Sequence, residues 1–431
     1  VSNGTLIVGA SQAGLQLAVS LRQLGDTEPI TLVGEEDHPP YQRPPLSKEF
    51  LTGEATAESL AFRSDAFYTD SDIRLVRGER VSELALSATN SANPAGPANP
   101  AGSGTAVTAS GRSLPFDRLA LTVGAGPRRL AVPGSDLGGI CYLRDRDDAV
   151  DLRAQLTHAH RVVVVGGGFI GLEAAAVARA LGKSVTVVEA ADRLIQRAVA
   201  PVVSEFYRQA HLRRGTELLL SAQVSGFDGA GGQVTGVRLT DGRQVPADLV
   251  LVGVGVVPRT ELATGLGLEC DGGIVVDSHA RTSDPAVVAA GDCTVQPHPM
   301  TGLGRVRLES VQNAVAQAGT AAATLLGTLR NTRTVPWFWS YQGDLKLQIA
   351  GLSAGYDSYV VRGEPDSERF SVLYYREDQL LAVDAVNNPS DYMAVRKALS
   401  QDATIPAARA GDAATPLKTL FAARGDAVGA S

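Results

Sequence analysis

Three glycines stand at a chemically suggestive spacing near the middle of the chain. Gly166, Gly168 and Gly171 follow four consecutive valines, 162–165, and open a segment of helical composition. In a strand–turn–helix context the first glycine permits a tight turn, the second lets a pyrophosphate approach the backbone, and the third lets helix and strand pack closely. The helix amino terminus then offers unpaired N–H groups to the phosphates. Glu189 closes the strand that follows, where a carboxylate accepts ribose hydroxyls and repels a 2′-phosphate. NADH is therefore expected in preference to NADPH. A second copy opens the chain: the apolar run 5–8, then Gly9-Ala-Ser-Gln-Ala-Gly14, then Glu35 with Glu36 beside it. Its middle position is Ser11, whose side chain crowds the path of a pyrophosphate.

Two β-α-β units are needed to position these residues. In both copies 16 residues separate the first glycine from the glycine that ends the helix, Gly9 to Gly25 and Gly166 to Gly182. Such a match favours two related units. Strands at 30–33 and 185–188 complete them, and buried strands alternating with helices describe an α/β architecture with parallel sheets. Residues 87–104 are rich in Ala, Asn, Pro, Gly and Ser, which predicts a loop inserted in a hairpin between strands at 80–86 and 106–109. Buried-strand composition returns at 248–254. The run 287–290 ends in Gly291-Asp292, placing a carboxylate just past a strand's carboxyl end, where ligands bind in open α/β sheets. An Ala-rich helix is expected at 310–326. Aromatic residues and alternating strands then dominate 337–386, which predicts a separate carboxy-terminal domain, with 327–335 as linker and a small, polar tail from Ala407.

Composition narrows the function classes. The 431 residues include 39 basic and 46 acidic side chains, net charge -7, with no basic block to mark a nucleic-acid partner. No run of about 18 apolar residues predicts a membrane span, and no basic segment before the first strand predicts a signal peptide. A cytoplasmic protein is expected. Cys141, Cys270 and Cys293 form no C-x-x-C or C-x4-C pair, so they read as small buried residues rather than a redox dithiol or a thiolate cluster. The six histidines show no metal spacing, and no metal site is expected. Redox chemistry would have to reside on a bound cofactor.

Further motifs recur in order along nearly the whole chain: Arg43-Pro-Pro-Leu-Ser-Lys48, Thr122-Val-Gly-Ala125, Gly291-Asp292 and Pro336-Trp-Phe-Trp-Ser340. With 9–14 and 166–173 they resemble the FAD-dependent ferredoxin reductases of bacterial oxygenase systems. The resemblance implies a glutathione-reductase-like α/β fold, with two Rossmann-like dinucleotide-binding domains plus a C-terminal α+β interface domain. It maps an FAD domain onto 1–125 and 248–327, an NAD domain onto 126–247 and the interface domain onto 328–431. It implies hydride transfer from NADH to FAD, then single electrons to a [2Fe–2S] ferredoxin that supplies an oxygenase or haem monooxygenase. The alternatives are another acceptor, such as rubredoxin, quinone or oxygen, or a redox sensor similar to apoptosis-inducing factor. Monomer and dimer both remain open.

The same resemblance assigns residues. Asp292 would bond the ribityl chain of FAD, and Arg43 would lie near its phosphates or the flavin edge. Thr122 and Gly124 belong to the crossover along the flavin, and Val311 to a helix start that meets the pyrimidine ring. Gly9, Ser11, Ala13, Gly14, Glu35 and Val81 complete the FAD set, and Gly166, Gly168, Phe169, Ile170, Gly171, Glu189 and Gly255 form the NAD set. Lys48 would sit by the flavin N5 edge, paired with Glu173. A cation there stabilises an anionic reduced ring, and the carboxylate keeps a desolvated lysine charged. Trp337 and Trp339, the only tryptophans, are expected on opposite faces of a strand, one in the core and one over the flavin. Arg305, Arg307 and Lys346 are candidates for docking an acidic ferredoxin, because steering follows the local field rather than net charge.

Overall fold

The computed structural model describes residues 2–87, 102–329 and 334–423. Its backbone divides into two units, one of Val1–Gln42, Glu58–Gly126 and Val256–Thr334, the other of Arg43–Ala57, Pro127–Gly255 and Val335–Ser431.

In the first unit five parallel strands lie in the order Val287–Ala289, Arg118–Leu121, Thr5–Val8, Ile30–Val33, Ile73–Val76. Side chains alternate across the sheet. Ile7 and Leu32 join one core with the helices Gln12–Gln23 and Val311–Leu325, while Leu6, Val8 and Leu121 join another with Phe116 and Val276. Burial on both faces is why these strands read as unbroken apolar runs. The alanines of the second helix also have a packing reason. Ala314, Ala318, Ala321 and Ala322 share a core with Leu17, Ala18 and Leu21 of the first helix, and small side chains let two helices approach closely. Ser310 caps that helix, its Oγ accepting from the Asn313 N–H at 3.1 Å. The hairpin Val81–Leu86 and Gly104–Thr108 forms as expected, pairing Leu86 with Gly104, and most of its connecting loop lies outside the described residues.

The second unit repeats the plan, with parallel strands in the order Glu217–Leu219, Ser184–Val188, Arg161–Val165, Leu249–Val252, Ile140–Tyr142. Here the chain departs from the expected boundaries. Strand Leu249–Val252 pairs with Arg161–Val165, so the return to the first unit comes at Val256 and not at 248. A four-residue apolar strand suits the middle of either sheet, and only its pairing decides. Arg43–Ala57 also packs with the second unit, the Arg153 guanidinium lying 4.6 Å from the centre of the Phe50 ring. Residues 335–423 belong to this unit too. They form an antiparallel sheet in the order Trp337–Gln342, Leu345–Gly351, Gln379–Val386, Arg369–Arg376, Ser358–Glu364, covered by helix Pro389–Ser400 through buried Tyr392, Val395 and Leu399.

Candidate functional site

In the first unit the sheet order reverses between Thr5–Val8 and Arg118–Leu121, which opens a crevice at the strand ends. Gly9 turns the chain there with φ +114°. A Cβ on it would lie 2.2 Å from the Thr122 carbonyl oxygen, and one on Gly14 would lie 2.0 Å from that of Gly9, so both positions require glycine. Thr122 donates its hydroxyl to the carbonyls of Val8 and Gly9 at 3.1 and 2.8 Å, tying the crossover to the turn. Ser11 takes the helix N-cap in extended backbone, a position serine favours, and Ala13 is buried in the first turn. Val81 has its side chain in the core with Val8 and Val33 and pairs with Thr108 at the start of the hairpin.

Two features near this crevice have no counterpart among the expected residues. Glu35 is ion-paired with Arg259, whose backbone N–H donates to the Gly124 carbonyl at 3.0 Å. The Gly291-Asp292 turn is held by a buried amide cluster: Gln317 Oε1 accepts from the Gly291 N–H at 2.9 Å, and Gln317 also bonds Asn313, Thr294 and Gln296. In a sequence such amides look like surface residues. Val311 is the first residue of its helix, directly after the Ser310 cap.

The second fingerprint, in the second unit, shows which glycines serve the fold and which serve a ligand. A Cβ on Gly166 would lie 2.4 Å from the Gly253 oxygen, and one on Gly171 2.2 Å from the Gly166 oxygen. A Cβ on Gly168 would meet nothing within 4 Å. That open space beside the amino terminus of helix Phe169–Ala180 is the cradle a pyrophosphate requires, and the residues present therefore fit a dinucleotide. Glu189 stands at the end of Ser184–Val188, its two oxygens accepting from the Gly167 N–H at 2.6 Å and the Ala191 N–H at 2.7 Å. Gly255 has φ +99° and accepts from the Arg128 N–H at 2.9 Å. Ile170 is 41% exposed at the helix start, whereas the Phe169 ring packs on Phe338 at 4.7 Å.

The same unit brings together the pair expected to do chemistry. Pro44 and Pro45 open a short 3-10 turn, Pro44–Ser47, that delivers Ser47 and Lys48 to helix Phe169–Ala180. Lys48 Nζ lies 2.5 Å from Glu173 Oε2, and their side chains are only 13% and 5% exposed. Lys48 also donates to the Pro44 carbonyl and to Ser47 Oγ, at 3.0 and 3.2 Å. Ser47 Oγ donates to Glu173 Oε2 at 2.6 Å, and Ser340 Oγ donates to Oε1 at 2.7 Å. A carboxylate this buried is tolerated because both oxygens are satisfied and a cation adjoins. Ser47 and Ser340 are absent from the expected residues, although both stand inside the quoted motifs. Arg43 donates to the Arg144 carbonyl at 2.7 Å.

Two expectations are corrected. Trp337 and Trp339 lie on one face, not on opposite faces, with ring centroids 5.3 Å apart, because a strand of period two aligns residues i and i+2. Neither is in the core, and Arg396 sits 4.8 Å over the Trp337 ring. Cys270 is exposed, unlike Cys141 and Cys293. Burial pushes the Cys141 thiol up to about 11 and the Cys293 thiol to about 12, so both stay protonated and unreactive. The docking candidates are also less free than a sequence suggests. Arg305 pairs with Glu269 at 3.0 Å and Arg307 with Glu309 at 2.8 Å in the first unit, while exposed Lys346 lies over Tyr341 at 5.6 Å in the second.

Residues 4–318 match the family described as pyridine nucleotide-disulphide oxidoreductase. The chain belongs to that family. Residues 337–421 match a reductase C-terminal domain. Rhodocoxin reductase of Rhodococcus erythropolis is 43% identical over 421 residues, covering 98% of this chain and 95% of that protein. A solved ferredoxin reductase from Rhodopseudomonas palustris superimposes with TM-score 0.90 at 40% identity, over 98% of this chain and 100% of that one. The reductase of a covalent putidaredoxin reductase–putidaredoxin complex does so with TM-score 0.89 at 38% identity, over 97% of each. As a pyridine nucleotide-disulphide oxidoreductase the chain uses FAD and NAD(H). Disulphide chemistry has no support from its cysteines, all three of which are unpaired. No helix among the described residues is long and apolar enough to cross a membrane.

Proposed function

We propose that this chain takes hydride from NADH onto FAD and passes single electrons to a [2Fe–2S] ferredoxin that supplies an oxygenase or haem monooxygenase, working in the cytoplasm. The observation that carries this reading is the buried Lys48–Glu173 pair, a held cation in a chain that also carries two dinucleotide fingerprints. When bound, FAD supplies the redox chemistry, accepting a hydride and releasing electrons singly. The chain's own residues bind, orient and hold charge. Gly9 and Gly14 let the FAD pyrophosphate meet the first helix, Asp292 holds the ribityl chain, and Glu35 serves the ribose while shared with Arg259. Gly168 admits the NADH pyrophosphate, and Glu189, fixed by two backbone N–H groups, takes the ribose hydroxyls. Lys48, its charge kept by Glu173, is the cation assigned to stabilise the reduced flavin. No acid or base is needed, since hydride transfer asks only for orientation.

Relatives favour a ferredoxin as acceptor, because one solved neighbour at 38% identity is a reductase captured in a covalent complex with putidaredoxin, and another at 40% identity is itself a ferredoxin reductase. Arg305, Arg307 and Lys346 are assigned here to that partner's docking. The test is anaerobic titration of the FAD-loaded protein with NADH, followed by a [2Fe–2S] ferredoxin. Bleaching of the flavin bands by about one equivalent of NADH, then rapid ferredoxin reduction, is the expected result. Bleaching without electron delivery to any ferredoxin offered would move the assignment to another acceptor.

A further inference from the structure

Glu173 is held from a second side by side chains that the proposed chemistry leaves unused. Gln342 and Ser340 alternate on strand Trp337–Gln342 and so share a face. His211 projects from helix Pro201–Arg213. His211 Nε2 lies 2.8 Å from Gln342 Oε1, Gln342 Nε2 lies 3.3 Å from Ser340 Oγ, and Ser340 Oγ lies 2.7 Å from Glu173 Oε1. All four residues are at most 4% exposed.

We propose that His211, Gln342 and Ser340 form a one-way hydrogen-bond relay that positions Glu173, and through it Lys48, for hydride transfer. The proposal rests on the reading of Lys48 given above. Its direction follows from donor chemistry. An ionised carboxylate only accepts, so the single Ser340 proton goes to Glu173 and the serine oxygen must accept from the Gln342 amide nitrogen. The Gln342 oxygen then faces His211, whose Nε2 must carry the proton. Burial lowers the His211 pKa, so the imidazole is neutral and brings no second cation. Tyr207, one turn earlier on the same helix, stays protonated for the same reason of burial. Donation therefore runs one way, from His211 through Gln342 and Ser340 to Glu173 Oε1, while Lys48 and Ser47 meet Oε2.

One hydroxyl would satisfy that oxygen, and each further buried polar group adds desolvation cost. What three groups in series add is orientation and mutual polarisation towards a carboxylate whose place sets that of the lysine. They are positioning residues.

The test is stopped-flow reduction of the FAD-loaded protein by NADH, with FAD content and circular dichroism as checks on folding. Ser340→Ala and the volume-conserving Gln342→Met should each slow flavin reduction by about tenfold, the scale of a sub-ångström misplacement, and Ser340→Thr should restore most of it. Should Ser340→Ala fail to fold, Gln342→Met carries the same test. In a Lys48→Met background neither substitution should slow the step further. Effects that multiply in that background would overturn the relay as a route to Lys48. If Lys48→Met alone leaves the rate unchanged, the reading of Lys48 falls instead, a different result.

A readout independent of turnover is the ¹⁵N–¹H spectrum of histidine-labelled protein. His211 should show the Nε2–H tautomer with a slowly exchanging proton, displaced in Gln342→Met and absent in His211→Phe. An Nδ1–H tautomer, or titration of His211 near its ordinary value, would overturn the proposed direction.

Discussion

Lys48 Nζ and Glu173 Oε2 stand 2.5 Å apart although 125 residues separate them in the chain. Because both side chains are buried, removing the cation alone strands a carboxylate. Lys48→Met should cost about 3–5 kcal/mol of unfolding free energy, the usual penalty for breaking a buried pair. Lys48→Met with Glu173→Gln should recover most of it, since the amide oxygen can still accept from a serine hydroxyl. Flavin reduction by NADH should stay slow in both variants. Chemical denaturation and stopped-flow measurements on the same preparations separate the two effects, and equal recovery of rate and stability would reduce the pair to a fold element.

Glu189 is the residue expected to choose between NADH and NADPH. Its oxygens are already fixed by the N–H groups of Gly167 and Ala191, so it is a preorganised negative charge at the position proposed for the ribose. Glu189→Ala should lower kcat/KM for NADH and narrow the gap to NADPH by about tenfold, the worth of one lost charge-assisted bond and one lost repulsion. An unchanged NADH to NADPH ratio would show that the ribose is read elsewhere.

Arg307 and Lys346 should matter to a ferredoxin and not to a small acceptor. Charge reversal at both is expected to raise the apparent KM for ferredoxin, with a dependence that fades at high salt, and to leave NADH–ferricyanide turnover unchanged. Arg307 is paired with Glu309, so its contribution should be the smaller of the two. Equal loss of both activities would place these residues outside the docking face.

The parts of this molecule that sequence made legible are those whose requirements are local. Gly9, Gly14, Gly166 and Gly171 are dictated by a turn and a close approach, each visible within a few residues of an apolar strand. Lys48 and Glu173 came together through motif resemblance, because no periodicity links residues so far apart. Where partners are purely tertiary, the sequence was silent. Strand Leu249–Val252 could join either sheet, Ser340 is one hydroxyl among many until Glu173 is placed beside it, and the buried amides of Gln317 and Asn313 look like surface residues. The tryptophans depart from expectation for a simpler reason, since strand geometry itself puts Trp337 and Trp339 on one face.

Asp384 predicts a pH dependence of stability in the carboxy-terminal sheet. It is fully buried and accepts from the Tyr374 hydroxyl through Oδ2, while Oδ1 has no partner, and burial raises its pKa to about 7. An unfolded aspartate titrates near ~3.9. Between these values the folded state holds a proton that the unfolded state has released, so stability is full below pH ~4 and declines by about 1.4 kcal/mol per unit as pH rises towards 7. Glu368 beside Arg214 and Asp248 beside Arg161 are held down at about 2, so their windows lie at lower pH. Denaturation of wild type and Asp384→Asn from pH 5 to 8 should diverge in favour of the variant. Parallel curves would mean that Asp384 titrates normally.

Gly168 and Gly171 offer the sharpest contrast, since they lie three residues apart and one substitution tests both. A methyl group on Gly171 would press within 2.2 Å of the Gly166 oxygen, which forces helix and strand apart. Gly171→Ala should therefore lower the melting temperature and lose NADH binding together. A methyl group on Gly168 meets no protein atom within 4 Å, and its φ of -83° suits alanine. Gly168→Ala should keep the wild-type melting temperature and bound FAD, yet raise the KM for NADH by about tenfold or more, because the methyl occupies the space through which the pyrophosphate reaches the helix. Calorimetry and steady-state kinetics on the two variants decide the matter. Were Gly168→Ala to bind NADH as wild type does, the open space at that glycine would not be the pyrophosphate site, and only Gly166 and Gly171 would have a reason to be glycine, that of packing.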